Sequence, residues 1–260
     1  MIEQAYLQAK LMGIQVWCED EAGPYQTVPY AGQQWQPEQA PFTQPHEYIR
    51  NGTAKLLTLF QPDTGEVRVK GVTDSTNLTL HQWLKSQLIE ILADQPLLTP
   101  TAKQTTENRT FWESWRQGLT VKATLSQILP QLRLILIMDN LVGHKNPEWL
   151  RWCFSQGVLP IYTPLAGSWL NMAESIQRLL KGRALNSTYP TTVAEIIDSL
   201  EAVARHWNVH PTPFIWAGKR KARRQRAYLK RHPVGASACV AHRAVCRHDA
   251  KWQATSEVTH

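Results

Sequence analysis

Residues 132–162 constrain the fold of this 260-residue chain more than any other stretch. Residues 132–138 read LRLILIM, an almost wholly aliphatic run of the kind that makes a strand buried on both faces of a sheet. Asn146 then supplies a capping side chain and Pro147 sits where a first helical residue needs no N–H. Gly157 marks the other end, so residues 147–156 are predicted to be a helix. Residues 158–162 (VLPIY) form a second short strand. Strand, helix and strand in that order predict a right-handed parallel crossover, and with it an α/β sheet.

The remaining segments extend this frame. Residues 14–18 (IQVWC) are β-rich and run into Glu19, Asp20 and Glu21. Residues 23–45 carry five prolines and two glycines and read as an extended loop. Residues 55–60 and 66–70 flank Pro62, Asp63, Thr64 and Gly65, a hairpin signal in which the glycine supplies a positive φ. Residues 78–92 place Leu78, His81, Leu84, Leu88 and Leu92 at helical spacing, whereas residues 94–110 are polar and turn-rich. A Pro164-Leu165-Ala166-Gly167 loop precedes a helix expected from about Trp169. Residues 191–207 form another, with Val193, Ile196, Ile197, Leu200 and Val203 or Ala204 on one face.

Charge divides the chain in two. Residues 1–217 hold 17 basic and 19 acidic side chains, a balance of −2, while residues 218–260 hold 11 and 2, a balance of +9. The expected organisation is therefore a mildly acidic α/β body over 1–217 and a basic, partly disordered extension over 218–260. Lys219, Arg220, Lys221, Arg223, Arg224, Arg226, Lys230 and Arg231 make most of that extension's charge, which suits either a polyanion partner or a solvated basic helix face. A 43% hydrophobic content allows a buried core and excludes wholesale disorder. The longest aliphatic run, residues 134–138, is far short of the roughly 20 residues a membrane span needs. No basic-then-apolar leader opens the chain, and four scattered cysteines make no disulfide framework, so a soluble cytoplasmic protein without membrane contact is expected.

Three acids stand out by position. Asp20 and Asp139 directly follow predicted central strands, and ligand sites of open α/β sheets gather at such strand ends. Glu174 falls on the helix after the next strand, three residues beyond Asn171, so the two are expected on one helix face. Carboxylates so placed can hold a hard divalent cation, which takes few protein oxygens and keeps waters for a substrate. The same residues could equally be turn formers and helix caps.

Taken in order, the motifs resemble a known family. The run Ile137-Met138-Asp139-Asn140-x-x-x-His144 is followed by Tyr162-Thr163-Pro164-Leu165-Ala166-Gly167-Ser168-Trp169-Leu170-Asn171-x-x-Glu174. Together they resemble the DDE transposases of the mariner superfamily, nearest to the bacterial insertion-sequence 630 branch. The 34 residues between Asp139 and Glu174 match that group's interval, and Glu19-Asp20-Glu21-Ala22-Gly23-Pro24 resembles its first acidic motif. His46-Glu47-Tyr48-Ile49-Arg50-Asn51-Gly52-Thr53, Trp207-Asn208 and Pro213-Phe214-Ile215-Trp216 look like further landmarks, so the likeness spans roughly residues 14–225.

The resemblance implies a ribonuclease-H-like mixed sheet flanked by helices and a catalytic, metal-binding triad of Asp20, Asp139 and Glu174. It implies two Mg2+ or Mn2+ ions, with Asn140, His144 and Asn171 supporting the triad or positioning DNA. It also implies DNA partners, namely transposon terminal inverted repeats and target DNA, a homodimer, and a bacterial cytoplasmic protein that joins the nucleoid when on DNA. Family members carry a helix-turn-helix region ahead of the catalytic domain, whereas here the first predicted strand starts at Ile14. The expectation is a transposase catalytic half, with end recognition left to a separately encoded helix-turn-helix subunit. A truncated remnant that binds DNA without cutting it, or a metal-dependent nuclease on the same fold, are the alternatives.

Other signals add little. Cys239, His242, Cys246 and His248 lack the separation between ligand pairs that a zinc knuckle needs. Gly218-Lys219 has no glycine at Walker spacing before it. Trp112, Trp115, Cys18 and Cys153 read as packing residues.

Overall fold

The crossover is the centre of the molecule. In the computed structural model, β4 (Leu134–Met138), α4 (Pro147–Ser155) and β5 (Val158–Tyr162) follow one another, and the strands pair in parallel with Leu134 level with Val158. Every residue of both strands is buried, which is why this stretch is aliphatic throughout instead of alternating. Asn146 Oδ1 accepts from the Glu148 amide at 2.8 Å and Pro147 opens the helix. Gly157 closes it at φ +75°, where a Cβ would also stand 2.6 Å from Gln131 O.

The structure describes residues 2–27, 39, 51–95, 97, 101–117, 124–165, 167–186, 188 and 190–216. All belong to the first of the two units into which the chain divides, Met1–Trp216; the second, Ala217–His260, lies outside the described residues, and with it the basic cluster from Lys219 to Arg226. Most of the expected loop over 23–45 and the His46 to Arg50 part of one landmark also lie outside them.

β1 (Gln15–Gln26) pairs in parallel with β4 on one side and antiparallel with β2 (Thr53–Phe60) on the other. β3 (Val67–Val72) completes the hairpin, with Gly65 at φ +82° in its turn. The strand order is β3-β2-β1-β4-β5, three antiparallel strands leading into three parallel ones through the shared β1. This is the mixed α/β sheet expected. Helices α1 (Ile2–Gln8), α2 (Asn77–Ile91), α3 (Ala102–Arg116), α5 (Ala173–Leu185) and α6 (Val193–Val209) join α4 around it.

Alternation along β1 sorts its side chains into two cores. Trp17 points to one face, with Leu80, Leu84 and Leu88 of α2 and Trp149 and Cys153 of α4. Cys18 points to the other, with Ala5 of α1, Trp112 of α3, Ile176 and Leu180 of α5 and Leu200 of α6. Burying a side chain the size of Leu or Ile contributes about 1.5–3 kcal/mol, so these two layers hold the sheet between them. Among the described residues no helix is long and apolar enough to cross a membrane.

Several elements differ from expectation. β1 continues to Gln26 because β2 offers backbone partners well beyond Cys18, so Asp20 lies within a strand, not after one. The polar stretch after residue 94 contains α3, which starts at a capping box between Thr101 and Gln104. That helix buries only Trp112 and Trp115, too few apolar residues to show a helical period in sequence. α2 turns Leu80 and Trp83 inward and leaves Leu78 exposed, reversing one assignment made from spacing. α1, and the 3-10 turn Ala9–Met12 that extends it, were not anticipated.

Candidate active site at the strand ends

β1 and β4 end their pairing at Cys18 and Ile137, and that register continued by two places sets Asp20 level with Asp139. Strand alternation puts Asp20 on the Cys18 face, and Ile137 shares that core, so Asp139 leaves β4 on the same side. α5 packs on this face and carries Glu174 in its first turn. Sheet and helix thus bring the three acids to one end of one face. Burial, and then the charges of Asp139 and Glu174, push the Asp20 carboxyl up to about 7.

The opposite face supplies a second group. Glu19 points away from Asp20 and is completely buried, with neither carboxylate oxygen hydrogen-bonded. Burial pushes it up to about 8, with Asp20 and Asp139 adding to the rise and His144 opposing it. His144 lies on the 3-10 turn Gly143–Lys145, buried beneath Asp139. Its Nδ1 stands 2.7 Å from Asp139 Oδ1 and its Nε2 3.8 Å from Glu19 Oε2. Neither ring nitrogen makes a hydrogen bond of regular geometry, and both contacts are ion pairs. Burial alone would lower His144, but Asp139 and Glu19 override it and raise it to about 9. Burial would likewise raise Asp139, yet His144, the Leu141 amide at 3.0 Å and Lys145 hold it below the usual carboxylate range.

Asn171 fastens these parts together, though not as expected. It precedes α5 in an extended conformation, so it shares no helix face with Glu174. Its Nδ2 donates to Glu19 O at 2.6 Å, and its Oδ1 accepts from Ala173 N at 3.1 Å. The side chain therefore ties the start of α5, and Glu174 with it, to β1. Asn140 follows Asp139 with its Oδ1 buried and without a hydrogen-bond partner.

The structure thus gathers Asp20, Asp139, Glu174, His144 and Asn171 at one end of the sheet, with Asn140 adjoining. Glu19 was missed as a site residue. Glu19 was legible in principle, since in a central strand covered on both faces one of two neighbouring acids must be buried. Hard carboxylate oxygens, with the charges of Asp139 and Glu174 acting on a buried Asp20, have the chemistry that Mg2+ or Mn2+ requires. Among the described residues, however, no three His, Cys, Asp or Glu side chains converge closely enough to coordinate one ion. Asp139 is turned instead toward His144.

A mixed five-stranded sheet with acids at the shared ends of β1 and β4 defines an α/β domain with a carboxylate site at its strand ends. The family described as DDE superfamily endonuclease matches residues 15–197, a span that contains all three acids, and the chain belongs to that family. A search of the curated proteins finds no sequence match. Among solved structures, a chain of the simian T-cell lymphotropic virus intasome is similar at 12% identity and a TM-score of 0.40, over 75% of this chain and 48% of that one. The catalytic core domain of BIV integrase is similar at 11% identity and 0.39, over 83% and 99%. A chain of the pre-cleavage Mos1 transpososome is similar at 12% and 0.35, over 82% and 60%. The chain thus spans about half of the first and three-fifths of the third.

Proposed function

We propose that this chain is the catalytic part of a transposase of the mariner superfamily, in the bacterial insertion-sequence 630 branch, and that it cuts and rejoins DNA strands during transposition. The observation that carries this reading is the placement of Asp20, Asp139 and Glu174 at the shared strand ends, where burial and then the charges of Asp139 and Glu174 push Asp20 up to about 7. In this reading the three carboxylates hold two Mg2+ or Mn2+ ions, which supply activation of the attacking oxygen and neutralise charge at phosphorus and on the leaving oxygen. His144 fixes the direction of the Asp139 carboxylate, and Asn171 ties the first turn of α5, which carries Glu174, to β1. In cleavage a water oxygen bonds to phosphorus, the bond to the 3′-oxygen breaks, and that oxygen takes a proton. In strand transfer the freed 3′-hydroxyl attacks a second phosphodiester in the same way.

Residues 1–217 form the catalytic domain, and residues 218–260 a basic extension whose Lys219, Arg220, Lys221, Arg223, Arg224 and Arg226 contact DNA backbone. The DNA partners are terminal inverted repeats and target DNA, handled by a homodimer working with a separately encoded helix-turn-helix subunit. The test is nicking of supercoiled DNA carrying candidate inverted repeats, with Mn2+ present. Asp139→Ala is expected to lower the rate at least about 1,000-fold, since electrostatic stabilisation of this kind is the largest single contribution to catalysis. Unchanged cleavage by Asp139→Ala would end the triad assignment. DNA binding without cleavage by the native chain would leave a catalytically silent remnant, and digestion indifferent to the repeats a general nuclease.

A further inference from the structure

Trp169, on the turn that leads into Asn171 and Glu174, closes a column of three aromatic rings. Tyr6 and Trp216 stack with centroids 4.9 Å apart at 17°, and Trp216 and Trp169 follow at 6.2 Å and 21°. Trp169 stands on the 3-10 turn Ser168–Leu170 with 52% of its surface exposed. The foot of the column is fixed to the site. Tyr6 Oη donates to Leu170 O at 2.9 Å, accepts from Met172 N at 3.3 Å and lies 3.1 Å from Cys18 Sγ, on the face that carries Asp20. The turn bearing Trp169 runs straight into Asn171 and Glu174.

Isolated exposed apolar residues are ordinary on a protein surface. This one differs because its ring plane is set by two rings behind it, so a flat partner can add to the column without first ordering the side chain. We infer that Trp169 is a stacking platform for an unpaired nucleobase next to the phosphodiester that the acids hold. The inference rests on the proposed function, which places a DNA strand at the acid cluster. A nucleobase fits because every base presents a π face, and stacking of this kind tolerates every sequence. The base must be unpaired, since within a duplex both of its faces are occupied.

The test uses the full chain in EDTA, where no cutting occurs. Binding of a fluorescein-labelled single strand of about 12 deoxythymidines, a length within usual single-strand site sizes, is compared with an equally long abasic strand. The native chain is expected to prefer the base-bearing strand. Trp169→Leu, which keeps apolar bulk without a π face, is expected to weaken that strand about 10-fold and leave the abasic strand unchanged, while Trp169→Phe recovers most of the loss. Equal binding of both strands by the native chain overturns the inference even if the leucine variant fails to fold. So does an equal loss on both strands in Trp169→Leu. A change in sedimentation mass with base preference intact would assign the ring to contact with a second copy, and likewise overturns it. Cleavage surviving Asp139→Ala would sink the proposed function without altering these metal-free affinity ratios, so the two failures are distinguishable.

Discussion

Two ends of the same sheet carry ordered sequence motifs, and they treat polar groups in opposite ways. At the hairpin end, Trp207 Nε1 donates to Gly65 O at 2.7 Å and the Phe214 amide donates to Pro62 O at 2.8 Å. Asn208 clasps Val67 from both sides, accepting from its amide at 3.0 Å and donating to its carbonyl at 2.6 Å. The polar groups of that lock are paired, as they should be where a motif exists to hold strands together. At the acid end, both oxygens of Glu19, both ring nitrogens of His144 and Asn140 Oδ1 are buried without a hydrogen bond. Natural folds tolerate such orphans chiefly where a ligand or chemistry needs them. A motif's position in the sequence did not separate the two roles; hydrogen-bond satisfaction does.

That contrast can be broken by substitution. The largest effect on stability is expected at the lock, where Trp207→Ala should cost about 3–5 kcal/mol in a urea titration, because it removes a buried indole and leaves Gly65 O unpaired. A cost near zero would mean that the hairpin needs no lock. The acid end should behave in the opposite sense, with Asp20→Asn expected to raise the melting temperature in EDTA at pH 8 by about 3 °C. The direction follows from the raised carboxyl: the stability linked to Asp20 is complete below its ordinary 3.8 and is lost as pH rises through about 7. The native chain should therefore weaken across that interval more steeply than Asp20→Asn. Mn2+ should stabilise the native chain more at pH 8 than at pH 6 and have no such effect on the variant. A destabilised Asp20→Asn in EDTA would sink the view of a crowded, strained cluster. The smallest effect is expected at Lys10, whose 2.8 Å ion pair with Asp63 is exposed on both sides, so Lys10→Ala should stay within about 0.5 kcal/mol.

Much of this was legible in residue order. The buried crossover, the hairpin, α4 with both caps and α6 all follow from apolar runs, turn residues and spacing, because those signals depend on near neighbours. The less legible parts have physical causes. α3 hides because two tryptophans do its packing among polar residues, and α1 because it is short. The inward turn of α2 onto Leu80 and Trp83, not Leu78, depends on what lies opposite it.

The site divides along the same line. Sequence alone settles which residues are acidic and which strands carry two of them, since strand propensity and burial on both faces are written locally. Only the tertiary structure decides that Asp20 lies inside a strand lengthened by β2, and that Asn171 ties α5 to β1 instead of sharing a helix face with Glu174. It also decides that His144 comes from one side of the sheet to sit between Asp139 and Glu19. The physical reason is that a carboxylate's burial and its charged neighbours are set by elements far apart in the chain, and these are what shift its proton affinity.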